Sequence, residues 1–517
     1  MTINEQRHII KKQILELELS SKKGAFELQN QVSKIYREKI VPLIDIYCSQ
    51  LSSPDVIDKI NRLELDLGNI DINNLEQDLI QAVETQIKQQ LTKKINSNKS
   101  SFSAKARSSQ TTSDLESRRR SSQTASDLET IGYFIQTGTL PWHSEKLSKQ
   151  ELEKCFNQSI ETSPDQVKRL LLDFFEDQNY LRRIIYQFSD QTLLKITNLF
   201  SAKLSQFITD YNKEISEILS QVDNFKHISL AESRLERWRG IFLSFTFNQN
   251  YQFENSQFIR ENLLHLATTF QINHASLINN LTKTVERLQK ENQTTFKKQL
   301  LETLSEIPGQ IEEIDTSRDN QKTKKQPQPQ DNISYFDDRA PRTSEANRFN
   351  DADEIYINNS GLILLWPFYK RLFEKIELVQ QGSFINSNAA QKAVLILQYL
   401  VDAATEISES NLPLNKLLCG IDIFEPMEVS LDISEAEIAE CETLLAAAIA
   451  NWSILKNTSI AGFRQTFLQR EGILRIRHGS WLLQVERQTY DILLDKIPWS
   501  IRVIKLPWID EILYVEW

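Results

Sequence analysis

Six histidines are the residues of this chain best suited to acid-base or metal chemistry: His8, His143, His227, His265, His274 and His478. They stand far apart, and the nearest pair, His265 and His274, misses the i, i+4 spacing that puts two imidazoles on one helix face for a shared metal. Neither His-Glu-x-x-His nor Gly-x-Ser-x-Gly occurs. The carboxylate pairs Glu16/Glu18 and Glu64/Asp66 could supply an acid and a base, but alternation along a half-exposed strand accounts for them fully. Asn415-Lys416 and Lys456-Asn457-Thr458 are polar clusters flanked by apolar, helix-like sequence, and capping or turn duty explains each. Cys48, Cys155, Cys419 and Cys441 are dispersed without a Cys-x-x-Cys spacing, which predicts buried single thiols in a reducing compartment. The sequence therefore offers no catalytic residue, no metal ligand set and no cofactor site, and it reads as a non-enzyme.

Aromatic residues are the remaining candidates. Pro141-Trp142, Trp366-Pro367, Pro498-Trp499 and Pro507-Trp508 pair a large side chain with a rigid backbone. Trp142, Trp366, Phe368, Trp499, Trp508 and Trp517 are thus candidate partner-docking residues, since Trp is favoured at interaction hot spots. Core packing around rigid turns is the competing reading. Twelve glycines in 517 residues leave few positions for positive φ or close approach to phosphate, and no Gly-x-Gly-x-x-Gly or Gly-x-x-x-x-Gly-Lys-Ser/Thr is present. A formal charge of −10 argues against a general binder of nucleic acid or anionic membranes. No signal-peptide apolar region and no span of eighteen apolar residues is found, so a protein made and kept in the cytosol, or carried within an assembled particle, is expected.

These residues must be held by several modules, because the chain is long enough for two to four domains. Residues 1–92 read as strand, helix, strand, helix: Leu15, Leu17 and Leu19 alternate with glutamates, as do Leu63, Leu65 and Leu67 with Glu64 and Asp66. Helical spacing follows each, through Leu28, Val32, Ile35 and Tyr36 and through Leu75, Leu79, Val83 and Ile87, which predicts a small two-layer α/β unit. Residues 93–130 contain a repeat, Arg107-Ser-Ser-Gln-Thr-Thr-Ser-Asp-Leu-Glu116 and Arg120-Ser-Ser-Gln-Thr-Ala-Ser-Asp-Leu-Glu129. With one Leu per unit it cannot bury enough apolar area to offset chain entropy, and a disordered linker is expected. Residues 131–307 carry one helical stripe after another. Ser163-Pro164 and Ser189-Asp190 serve as helix starts, and a short heptad through Ile278, Leu281, Val285 and Leu288 could serve self-association. A polar Pro/Gln linker spans 308–354. Residues 355–517 read as an α+β domain, with helices over Leu364–Leu378, Ala389–Val401 and Ser434–Trp452. It ends in antiparallel strands: a hairpin from Ile473 to Arg487 through a Gly479-Ser480 turn, then short segments ending at Trp517. The expected fold class is multidomain and mainly α, with α+β terminal domains around a central helical array.

The order of several segments is more specific than any one of them: Gln13-Ile-Leu-Glu-Leu-Glu-Leu19, Arg62-Leu-Glu-Leu-Asp-Leu-Gly68, Thr137-Gly-Thr-Leu-Pro-Trp142, Asn359-Ser-Gly-Leu-Ile-Leu-Leu-Trp-Pro-Phe368, Asn415-Lys-Leu-Leu-Cys-Gly420, Trp452-Ser-Ile-Leu-Lys-Asn-Thr-Ser459 and Phe463-Arg-Gln-Thr-Phe-Leu-Gln-Arg-Glu-Gly472. With the Pro-Trp-Ser-Ile, Lys-Leu-Pro-Trp and Val-Glu-Trp ending, this series resembles the tape measure proteins of extracellular contractile injection systems, the phage-tail-like particles of bacteria. The resemblance implies a structural component that sets tube length during assembly. Its partners would be tube, spike or baseplate proteins, with no nucleic acid and no membrane insertion. A soluble adaptor or chaperone that is not retained in the particle is the alternative. A ruler must be extended: wholly helical, the chain would reach about 780 Å, whereas folded compactly its radius of gyration would be about 24 Å.

Overall fold

The computed structural model describes residues 24–52, 63–102, 126–141, 147–247, 254–307, 354–404, 406–430, 432–455 and 457–517, with 8, 10, 13, 15–18, 60 and 144 as isolated positions. Helices come first: α1 (Ala25–Ile35), α2 (Val41–Leu51), α3 (Leu75–Phe102), α4 (126–137), α5 (Lys149–Thr162), α6 (Pro164–Phe175), α7 (Gln178–Gln187), α8 (Asp190–Phe200), α9 (Ala202–Ser220), α10 (Leu230–Phe247), α11 (Asn255–Thr269), α12 (His274–Glu291) and α13 (Thr295–Ser305). The remainder is mixed. It runs β1 (Ile355–Ile357), α14 (Trp366–Lys375), β2 (Val379–Gln380), β3 (Ser383–Phe384), α15 (Ser387–Asp402), α16 (Pro413–Leu418), α17 (Glu435–Asn451), α18 (Ile460–Phe463), β4 (Gly472–Arg477), β5 (Ser480–Val485), β6 (Val503–Ile504) and β7 (Leu513–Glu516). The chain is thus mainly α with an α+β ending, and it divides into two compact units, residues 1–134 with 140–167 and residues 135–139 with 168–517.

In the first unit Val32, Ile35 and Ile40 pack with Leu75, Leu79 and Val83 of α3 to form a small core. Pro42 lies at the start of α2 and has no N–H to donate, and the turn before it opens into a π-helix over Tyr36–Ile40, where Val41 N–H reaches back to Tyr36 O. The expected helices are present, but the two expected strands are not: among the described residues of this unit no strand forms. The alternation is nonetheless real in the second segment, whereas Leu15 and Leu17 of the first are exposed. Leu63, Leu65 and Leu67 are half-buried while Glu64 and Asp66 are exposed, and Leu65, Leu67 and Ile70 lie on the helical core. Period-two patterning specifies an extended segment with one apolar face, and the helices cover that face without a ladder. Leu19 lies outside the described residues, as do 103–125 and 308–353, which hold most of both expected linkers.

The second unit contains the helical array and the α+β region. Ser189 caps α8 by accepting from Thr192 N–H, and Leu193, Ile196 and Phe200 are buried beneath it. The array is aromatic at its centre: the rings of Phe175 and Phe242 stack at 4.8 Å, Phe200 and Phe245 at 5.2 Å, and Trp238 stacks on Phe242 at 5.6 Å. Ile278, Leu281, Val285 and Leu288 of the heptad are buried, with α12 packed by α9, α11 and α13. Intrachain packing thus uses the stripe from which a self-association seam was expected.

The C-terminal sheet has the order β1-β4-β5-β7-β6. β4 and β5 form the expected hairpin, with Arg477 opposite Ser480, so the turn residues are His478 and Gly479 rather than Gly479 and Ser480. Both have positive φ, 54° and 76°, as a two-residue hairpin turn with the sheet's twist requires. The ending is not wholly antiparallel, because β7 runs parallel to β5 and antiparallel to β6. Leu474, Leu483 and Val515 align across three strands, and they join one apolar core extending from Ile355 to Val515.

Candidate functional site: aromatic anchors and a buried charge cluster

Of the six candidate docking residues, Trp142 lies outside the described residues and the other five are half-buried against the C-terminal core. The indole N–H of each of the four described candidate tryptophans is satisfied within the chain. Trp366 Nε1 donates to Ser500 O at 2.8 Å and Trp499 Nε1 donates to Leu364 O at 3.0 Å, so two Trp-containing segments exchange bonds reciprocally. Phe368 meets the Trp499 ring edge-on at 5.3 Å. Trp508 donates to Leu418 O at 2.9 Å and packs between Phe373 and Phe384. Trp517 donates to Asp491 Oδ2 at 3.0 Å. Asp491 also binds Arg470 through both oxygens, at 2.7 and 2.9 Å, and the guanidinium lies against the rings of Tyr490 and Trp517 at 5.2 and 5.1 Å. Burial pushes the Asp491 carboxyl up, but the bonds from Arg470, Gln488 N–H and Trp517 outweigh it and hold the group below the usual carboxylate range.

Sequence reasoning missed two buried polar networks, although three of their members, Asn359, Asn415 and Lys416, stand in the segments quoted above. Asn359 Nδ2 lies 2.8 Å from Asn415 Oδ1, 2.8 Å from Asn411 O and 3.0 Å from Gln398 Oε1. Asn415 donates onward to Val394 O. The backbone here is tight: a Cβ on Gly361 would sit 1.7 Å from Phe467 O, and one on Gly472 would sit 2.2 Å from Ser360 Oγ. Asn415 and Lys416 are therefore not capping or turn residues at a surface; both are fully buried.

The second network is ionic. Glu409, with no exposed side-chain surface, accepts from Arg183 Nε at 3.2 Å and from Lys416 Nζ at 2.7 Å. Arg183 spends its other donors on Ile135 O, Gln136 O and Phe424 O, and Lys416 donates to Ile423 O and Glu425 O. Two cations thus share one carboxylate, and carbonyl oxygens supply the remaining compensation. Burial draws Lys416 below the usual lysine range, against the opposing pull of Glu409. Gly138 makes the close approach possible, since a Cβ there would lie 2.9 Å from Glu409 Oε1 and 3.1 Å from Arg183 Nη2.

His265 pairs with Glu236 at 3.0 Å between α10 and α11, and His8 pairs with Asp45 at 2.7 Å. Lys456 and His143 lie outside the described residues. Glu16, Glu18, Glu64 and Asp66 are exposed. Among the described residues no group of three or more metal-ligating side chains occurs. Burial raises the Cys419 thiol well above its ordinary value and pushes Cys441 up to about 12, which leaves both unreactive.

A family model described as "contractile injection system tape measure protein" matches residues 7–517. The chain belongs to that family. No curated protein and no solved structure matches it. Membership makes the chain a structural and assembly component of a contractile injection system that works with tail components. No helix among the described residues is long and apolar enough to cross a membrane.

Proposed function

We propose that the chain sets tube length as a string of folded modules rather than as one continuous rod. In this reading the amino-terminal helical core and the Trp-rich C-terminal domain grip tube, spike or baseplate proteins, and the polar segments between modules supply the reach. The observation that carries it is helix length. The longest described helix, α3, has 28 residues, about 42 Å, and the other described helices are shorter. Residues 103–125 and 308–353 can add at most about 80 and 160 Å when extended. The half-buried aromatics Trp366, Phe368, Trp499, Trp508 and Trp517 present their exposed edges as docking anchors, and Trp142 is proposed with them. The chain is made in the cytosol and retained in the particle, and its duty is mechanical, with no catalysis.

Electron microscopy of particles tests this directly. A third copy of the Arg-Ser-Ser-Gln repeat inserted after residue 116 should lengthen the tube, and deletion of 103–125 should shorten it, each by tens of ångströms. Normal particles of unchanged length in both strains would remove the ruler role.

A further inference from the structure

The bond between the helical array and the α+β domain differs in kind from the bonds within either. Among the described residues, the apolar core of 355–517 draws no member from the array. Polar bonds cross the joint among the described residues: Arg183 of α7 reaches Glu409 and Phe424 O, and Gln187, one turn further along the same helix, donates to Met427 O at 3.1 Å. The side chains of Arg183, Gln187, Glu409 and Lys416 are all buried, yet the cluster holds two cations for one carboxylate. A joint made for permanence would merge the two apolar cores. A polar joint between independently cored modules is the kind across which relative motion is expected, and a buried charge set fails as a unit once one partner is withdrawn.

We infer that Arg183, Glu409 and Lys416 form a releasable latch, which holds the helical array on the C-terminal domain in the free protein and opens when the chain is drawn out in the particle. Glu409 is the shared anion, and Lys416 holds it in place from within the C-terminal domain. Arg183 is the bolt: it alone of the three belongs to the array, and its withdrawal frees Glu409 and Phe424 O together. Opening leaves both apolar cores whole. The second half of the inference rests on the proposal that the chain is retained and extended in the particle, whereas the latch itself does not.

Two experiments on the full chain separate these parts. In the first, a site-specific protease site replaces residues 325–330, and the cleaved protein is run on a sizing column. The wild-type pieces should co-elute, and those of Arg183→Met should separate, with helical circular dichroism unchanged. Separation of the wild-type pieces, or co-elution of the variant's, would overturn the latch. In the second, the three latch residues stay intact, so folding of the Arg183 variant is not at issue. Tyr186→Cys and Glu428→Cys, on the two sides of the joint, are introduced with Cys48→Ser and Cys155→Ser, and a short bis-maleimide is added. Internal cross-linking should be complete in the free chain and fall at least tenfold in purified particles. Equal cross-linking in both would show a joint that never opens. Absence of the chain from particles would refute its retention there, and with it opening in the particle, leaving the column experiment to judge the closed latch alone.

Discussion

Arg470 and Asp491 show how one pair can tie down a whole segment. The guanidinium is 3% exposed, bidentate on Asp491, bonded to Glu486 O and faced by two aromatic rings. Asp491→Asn leaves that cation without its anion and should cost about 2 kcal/mol at neutral pH. The sign of its pH dependence follows from the lowered carboxyl. A group more acidic folded than unfolded stabilises fully above its unfolded value, about 3.9, and that contribution disappears as pH falls through the lower folded value. Thermal melts should therefore show the widest gap between wild type and variant near pH 7, closing as pH falls below about 4. A gap constant from pH 7 to pH 2.5 would contradict the assignment.

At the scale of elements, helix ends are the most local and most legible features. Ser434 and Glu437 form a reciprocal capping box at the start of α17, with Glu437 N–H donating to Ser434 Oγ at 3.3 Å and Ser434 N–H to Glu437 Oε2 at 2.8 Å. Ser434→Ala should lower stability by about 1 kcal/mol in chemical denaturation, with an unchanged denaturant slope. Such ends, the stripes of α6 and α8, and the β4–β5 hairpin could be read from sequence because each is decided by residues a few positions apart. The N-terminal strands were misread for a related reason: Leu63 to Leu67 fixes which face is apolar but not whether a neighbouring strand exists to complete a ladder. Arg183 and Glu409 were beyond reach. Nothing local marks two residues 226 positions apart as partners, and Arg183, next to Arg182 in α7, looks like any solvent-facing cation until its burial is seen. The Trp residues fell between these cases, since their clustering was visible but the acceptor each would bind was not.

The molecule as a whole has more than one centre of cohesion. The first unit has its own small core around Val32 and Leu79, the array is built on stacked phenylalanines, and the C-terminal domain on a core from Ile355 to Val515. Each apolar side chain buried in these cores contributes about 1.5–3 kcal/mol, so cohesion within a module exceeds that across the polar joint at Arg183. Calorimetry should accordingly resolve at least two transitions, with the ratio of calorimetric to van't Hoff enthalpy above one. A single transition with matching enthalpies would mean that the modules melt as one body.

The place of β7 in the sheet bears on how such a molecule carries load. The strand does not lie at the rim: β5 flanks it on one side and β6 on the other, so Leu513 is paired in both directions. A pull directed along β7 meets both sets of hydrogen bonds side by side and must break them together, as in shear, instead of unzipping them one after another. The domain is in this respect built like a rivet, able to stay folded under tension that would peel a rim strand away.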